Sequence, residues 1–158
     1  MDPTVEFLWS RRQRKSPAIE AQAWAIALLQ NGFESDAILR LAAERGLHWQ
    51  DEAALIHAAL KDIGREDLEA ERVLLLAYEQ GSVEDYFSGA IDGWTLVQRG
   101  CDLSYHGARD HREFDFWIGL AEEIYQHGAG PLERVALEET LRDALHEQRR
   151  FAVSRTDK

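Results

Sequence analysis

Apolar residues recur along this chain at spacings of three and four, and the strict alternation of a half-buried strand is hard to find in it. The pattern predicts an all-α fold. Ser16-Pro17 reads as a cap followed by proline at the first helical position, and Asn31-Gly32 as a left-handed stop, so a first helix is expected over 17–31. Its centre, Trp24-Ala25-Ile26-Ala27-Leu28-Leu29, is apolar on nearly all sides, which predicts a place in the middle of a bundle. Ser35-Asp36 opens a short second helix with Ile38, Leu41 and Ala42 on one stripe and a stop at Gly46. Asp51 is expected to cap a third, carrying Ile56, Ala59, Leu60 and Ile63 inward and ending at Gly64. Asp67 is expected to cap a fourth, with Val73, Leu76 and Ala77 inward up to Gly81.

Ser82-Val83-Glu84-Asp85 has the spacing in which a hydroxyl caps the third amide while a carboxylate reaches back, so it predicts the start of a fifth helix. That helix would bury Val83, Phe87, Ala90, Ile91, Trp94 and Val97. Gly89 and Gly93 inside it each cost about 1 kcal/mol relative to alanine, and the simplest reason to keep them is close approach of another helix. Cys101 to Asp110 has no clear period and reads as the longest loop, a kind of segment that often carries function. A sixth helix follows with Phe114, Trp117, Ile118, Ala121, Ile124 and Tyr125 on one face, and Gly130-Pro131 begins a seventh with Leu137, Leu141, Ala144 and Leu145 inward. The expectation is a single-domain bundle of about seven helices: a basic arm at 1–16, a helical domain at 17–148 and a basic tail at 149–158.

Charge sharpens the picture. The 158 residues carry 18 Lys and Arg against 29 Asp and Glu, a net charge of −11, and such a surface repels phosphate backbones and anionic lipid. Neither a nucleic-acid nor a membrane partner is expected. Residues 66–92 hold eight acids with Arg72 as the one base, and 113–147 hold nine acids against Arg134 and Arg142. Side by side, two such stretches would make a field able to steer a cationic protein, whereas ordinary solubility accounts for acidic helices equally simply. With Cys101 as its single cysteine and no signal-like order of charges at its start, the sequence fits a reducing cytoplasm. Cys101 itself reads as a small buried filler rather than a nucleophile.

Catalytic chemistry is poorly supported by spacing. The six histidines form no His-Glu-x-x-His pattern, and Glu123 with His127 is an ordinary pair near a helix end, so no metal or other cofactor is expected. Adjacent carboxylates such as Glu122-Glu123 point about 100° apart on a helix and cannot share a proton. Trp24, Trp94 and Trp117 fall on core stripes. Trp9 reads as a docked ring ahead of a solvated basic linker, while Trp49 fits either a helix staple or a contact surface.

Gly81-Ser82-Val83-Glu84-Asp85, the Ile91 to Trp94 segment and Phe116-Trp117-Ile118-Gly119-Leu120-Ala121-Glu122-Glu123-Ile124 together resemble, over 20–147, small acidic all-helical bacterial proteins without an assigned activity. The chain is also similar in type to the helical immunity proteins that neutralise polymorphic toxins. The resemblance implies a cytoplasmic, non-enzymatic protein that binds a basic toxin or effector domain, and it transfers no binding residues. Charge and loop position point instead to Glu79, Glu84, Asp85 and Asp92 as acidic contacts, with Tyr105, His106 and Asp110 beside them. Tyr86 fits either an anchoring contact or the core. Two alternatives stay open: an enzyme or small-ligand site near Tyr105, His106, Asp110 and His111, marked by a deep polar cavity, or an oligomeric module, marked by an exposed apolar helix face.

Overall fold

The computed structural model describes residues 1–13, 17–106, 114–127 and 138–146; the side chains of 17–20, 106 and 123–127 are not described. These residues are helical throughout apart from short connections: α1 Pro3–Arg12, α2 Pro17–Gln30, α3 Asp36–Ala43, α4 Trp49–Asp62, a 3-10 turn Glu66–Glu69, α5 Glu71–Phe87, α6 Gly93–His106, α7 Asp115–His127, and α8 over 138–146. The protein is all-α. Its contacts divide it into two compact units, Met1–Gly81 and Ser82–Lys158.

The first unit is built on α2. Ala21, Trp24, Ala25 and Leu28 are buried together with Ala37, Ile38 and Leu41 of α3 and Leu55, Ile56, Ala59 and Leu60 of α4. The expected stop is where the sequence places it: the Phe33 amide donates to Leu28 O at 3.1 Å and the Gly32 amide to Leu29 O at 3.0 Å, the paired bonds of a helix closed by a left-handed glycine. Ser35 caps α3, its Oγ accepting from the Ile38 amide. α2 is not enclosed on every side, however. Ala23 and Ile26 reach solvent, because α1 and α3 cover only part of a helix that is apolar all round.

Residues 1–16, expected as a basic arm, contain a docked helix instead. Asp2 caps α1 by accepting from the Thr4 amide at 2.7 Å, and Val5, Phe7 and Trp9 are buried. Phe7 stacks on Trp24 at 4.5 Å and Trp9 on Tyr78 at 4.8 Å, while Trp24 Nε1 donates to Thr4 Oγ1. Around this apolar contact Arg11 pairs with Glu52, Arg12 with Glu71 and Arg65 with Asp2. The bases that suggest a free arm in the sequence are therefore spent on internal ion pairs; Arg14 and Lys15 lie outside the described residues.

Several expected helix boundaries move. His48 rather than Asp51 is the cap of α4, and Asp67 lies in the 3-10 turn rather than opening a helix. α5 then runs uninterrupted through Gly81 to Phe87, so Ser82 is an interior residue, 1% exposed, and not a cap. The inward residues of its first turns are Leu74, Leu75 and Tyr78, while Val73 and Leu76 face out.

In the second unit the expected fifth helix is broken in two. Gly89 has φ +77, its amide bonds to Tyr86 O at 3.0 Å and the Ala90 amide to Asp85 O at 2.8 Å, and this left-handed stop ends α5. The chain restarts at Asp92, whose Oδ1 accepts from the Thr95 amide at 2.8 Å and caps α6. α6 continues through Cys101 to His106, a stretch expected to be loop. Leu96, Val97 and Leu103 of α6 are buried, as are Phe114, Trp117, Leu120 and Ala121 at and along α7 and Leu141 and Leu145 of α8. The expected start of the last helix at Gly130-Pro131, and Leu137, lie outside the described residues.

Candidate interaction surfaces

The α5–α6 corner gathers three of the acids singled out above. Glu84, on the last turn of α5, is exposed, and Asp92, at the start of α6, is exposed while it caps that helix. Asp85 is half-buried and turned inward, accepting from Arg99 Nη1 at 2.9 Å across the corner. Burial pushes its carboxyl upward, but the hydrogen bonds it accepts, that of Arg99 among them, more than offset this and hold it below the ordinary carboxylate range. Asp85 thus ties α5 to α6.

Tyr86 takes the core alternative. It is buried, its hydroxyl donates to Glu138 of α8, and the other oxygen of Glu138 accepts from the Gly93 amide at 3.0 Å. One carboxylate so closes the start of α6 against α5 and α8. A Cβ on Gly93 would lie 2.6 Å from that carboxylate oxygen and 2.9 Å from Leu141, so another helix, α8, does come close at this glycine, through its side chains. Burial, and then the bond to Glu138, raises the Tyr86 phenol above its ordinary value.

Tyr105 lies at the other end of α6 and is 65% exposed. It shares a line along the helix with exposed Gln98 and half-exposed Asp102, at spacings of four and three. Thirteen residues separate it from Asp92, about 20 Å of helical rise, so the acidic corner and this aromatic are two ends of one helix and not one cluster. His106 ends α6; Asp110 and His111 lie outside the described residues. Glu79 is half-buried on α5 within the first unit.

One feature went unread in the sequence. A cleft of about 270 Å³ opens where α2 meets the α3–α4 connection, with Gln22, Glu44, Arg45 and Glu52 around an apolar floor of Leu41 and Leu47. Its acids serve internal pairs, Glu44 with Arg40 at 2.8 Å and Glu52 with Arg11. The bond from Arg40 holds the Glu44 carboxyl below its ordinary value, the opposite of what a general acid at neutral pH needs. Trp49, which fits either a helix staple or a contact surface, is 68% exposed at the start of α4, its ring 5.8 Å from that of His48.

Among the described residues no three His, Cys, Asp or Glu side chains come together as a metal site requires, and no helix is long and apolar enough to cross a membrane. Cys101 is half-buried, its Sγ 3.8 Å from Trp117 O, and burial, followed by nearby Asp102, raises its thiol above its ordinary value. The fold and these surfaces define an all-α protein with exposed acidic and aromatic groups. No family model, curated protein or solved structure matches the chain.

Proposed function

We propose that this chain is a non-enzymatic binding protein of the immunity or antitoxin kind, which neutralises a basic toxin or effector domain by stoichiometric capture in the cytoplasm. The observation that carries the reading is the exposure at the two ends of α6: Asp92, its cap, with Glu84 on the last turn of α5 at one end, and 65% exposed Tyr105 at the other. Carboxylates on the rim of a contact act chiefly on the rate of encounter, and a tyrosine contributes area at low entropic cost. Asp85 and Tyr86 support the surface from within and make no contact with the partner.

The test is co-expression with a toxin or effector domain encoded beside this gene. Restored growth and co-elution as a stoichiometric complex are expected. In that complex Glu84→Gln with Asp92→Asn, the latter keeping the cap, should slow association and flatten its dependence on salt, and Tyr105→Ala should speed dissociation. A complex whose kinetics ignore all three substitutions would overturn the placement, and turnover of a small molecule by the isolated protein would overturn the non-enzymatic reading.

A further inference from the structure

The cleft between α2 and the α3–α4 connection holds charged groups that the fold leaves unsatisfied. Glu52 lines it with a side chain only 9% exposed, and its pair with Arg11 engages one carboxylate oxygen, Oε1. The other, Oε2, accepts no hydrogen bond from any described residue, and Gln22, also lining the cleft, directs its amide nitrogen to Ala42 O at 2.8 Å instead. An oxygen set this deep needs a donor from whatever fills the cleft. Arg45 stands at the rim, exposed, with no carboxylate in ion-pair reach among the described residues, since neighbouring Glu44 pairs with Arg40. With Glu44 and Glu52 each neutralised by a base, Arg45 is the one uncompensated charge among the described lining residues, and it is positive in a chain of net charge −11. The floor between is apolar: Leu41, 2% exposed, and half-buried Leu47.

We infer that this cleft binds a small apolar amino acid, with its carboxylate on the Arg45 guanidinium, its ammonium on Glu52 Oε2 and its side chain on Leu41 and Leu47. Each part of the ligand answers one group of the site. A guanidinium takes a carboxylate through two parallel hydrogen bonds. A phosphate dianion would set its second charge against the oxygens of Glu44 and Glu52, a simple amine would leave Arg45 unmatched, and a purely apolar molecule would leave Glu52 Oε2 without a donor. Volume sets the size: about 270 Å³ lies just below the roughly 300–1,000 Å³ of common ligand pockets and suits an amino acid rather than a nucleotide. One of the two charged anchors is exposed, so the affinity is modest, a Kd of about 0.1–1 mM. Every group of this site belongs to the first unit and those that carry the capture reading belong to the second, so either can fail alone.

Titration of the isotope-labelled full chain with L-leucine, followed by NMR, tests it. Amide shifts should saturate at Ala21, Gln22, Leu41, Glu44 to Leu47 and Glu52, while those of α6 stay still. Leucinamide, which lacks the carboxylate, and isocaproate, which lacks the ammonium, should each bind at least about tenfold more weakly. Arg45→Ala, at an exposed and unpaired position, should weaken leucine binding by the same factor with an unchanged helical spectrum, and Lys61→Ala, exposed near the far end of α4, should leave it as it is. The two analogues carry the test on the wild-type chain, so it does not depend on how any variant folds. No saturating shift up to about 10 mM leucine, shifts centred outside the cleft, or binding that ignores the loss of the carboxylate, of the ammonium or of Arg45 would each overturn the inference.

Discussion

At the scale of single residues, the sharpest constraint in the second unit is the absence of a side chain. A Cβ on Gly100 would lie 2.2 Å from the indole of Trp117, itself 1% exposed, so α6 and α7 touch backbone to ring. Neither partner has room to move: Ser104 Oγ, 2.6 Å from Phe114 O, holds the same two segments together. Gly100→Ala should therefore cost about 1–3 kcal/mol, the range for overpacking a filled core, read as a lower denaturation midpoint in urea. Gly119 in α7 has nothing within 4 Å of a built Cβ and is exposed. There the intrinsic helix preference of alanine is all that changes, and Gly119→Ala should raise stability by about 1 kcal/mol. Opposite signs for two glycine-to-alanine changes on facing helices separate packing from propensity; equal signs would mean that the Gly100 contact is relieved cheaply.

At the scale of elements, what was legible in the sequence follows from how local each cause is. Ser35 as a cap and Asn31-Gly32 and Gly64 as stops act within four residues, and the structure has all of them where the sequence puts them. The inward face of α5 is not legible in the sequence because Val73 to Ala77 is an unbroken apolar run, in which periodicity has no phase; Leu74, Leu75 and Tyr78 turn inward, and Tyr78 stacks there on Trp9 of α1. Ser82-Val83-Glu84-Asp85 carries a sound capping pattern and lies inside a helix, since Ser82 is wanted in the core. The start of α6 has a local cap, Asp92 to the Thr95 amide, but an apolar period running from Val83 to Val97 masks the break there, and the carboxylate that completes it, Glu138, lies 46 residues from Asp92. A shorter separation, the 14 residues between Asp85 and Arg99, hid the acidic corner's division of labour, in which Glu84 and Asp92 face out while Asp85 serves Arg99. The cap itself is testable: Asp92→Ala should cost about 1 kcal/mol and Asp92→Asn only a few tenths, because asparagine caps nearly as well. Equal losses from both would mean that charge, not the bond to the Thr95 amide, is what Asp92 contributes.

For the whole molecule, the titrating groups set opposite edges to a plateau of stability. Burial raises the Asp2 carboxyl, but the bond from Arg65 and that from the Thr4 amide outweigh it and bring it below its ordinary 3.8. A carboxyl depressed in the folded state contributes stability that is present above that ordinary value and is lost as pH falls through the folded one. Asp85 has the same sign in the second unit, so acid weakens both units from about pH 4 downward. Tyr86 has the reverse sign, since burial and Glu138 favour its neutral form. Its contribution is complete below the ordinary 10.0 and is lost as pH rises through the elevated folded value. Asp2→Asn, which keeps the cap on α1 and loses the charge facing Arg65, should be less stable than wild type at neutral pH and converge on it in acid. Tyr86→Phe should be less stable by about 1 kcal/mol at neutral pH and close that gap only above pH 10. Urea titrations across the pH range measure both. Curves for both variants that run parallel to wild type would show that these two groups carry no part of the pH dependence, and that the edges of the plateau belong to the unbalanced −11 charge as a whole.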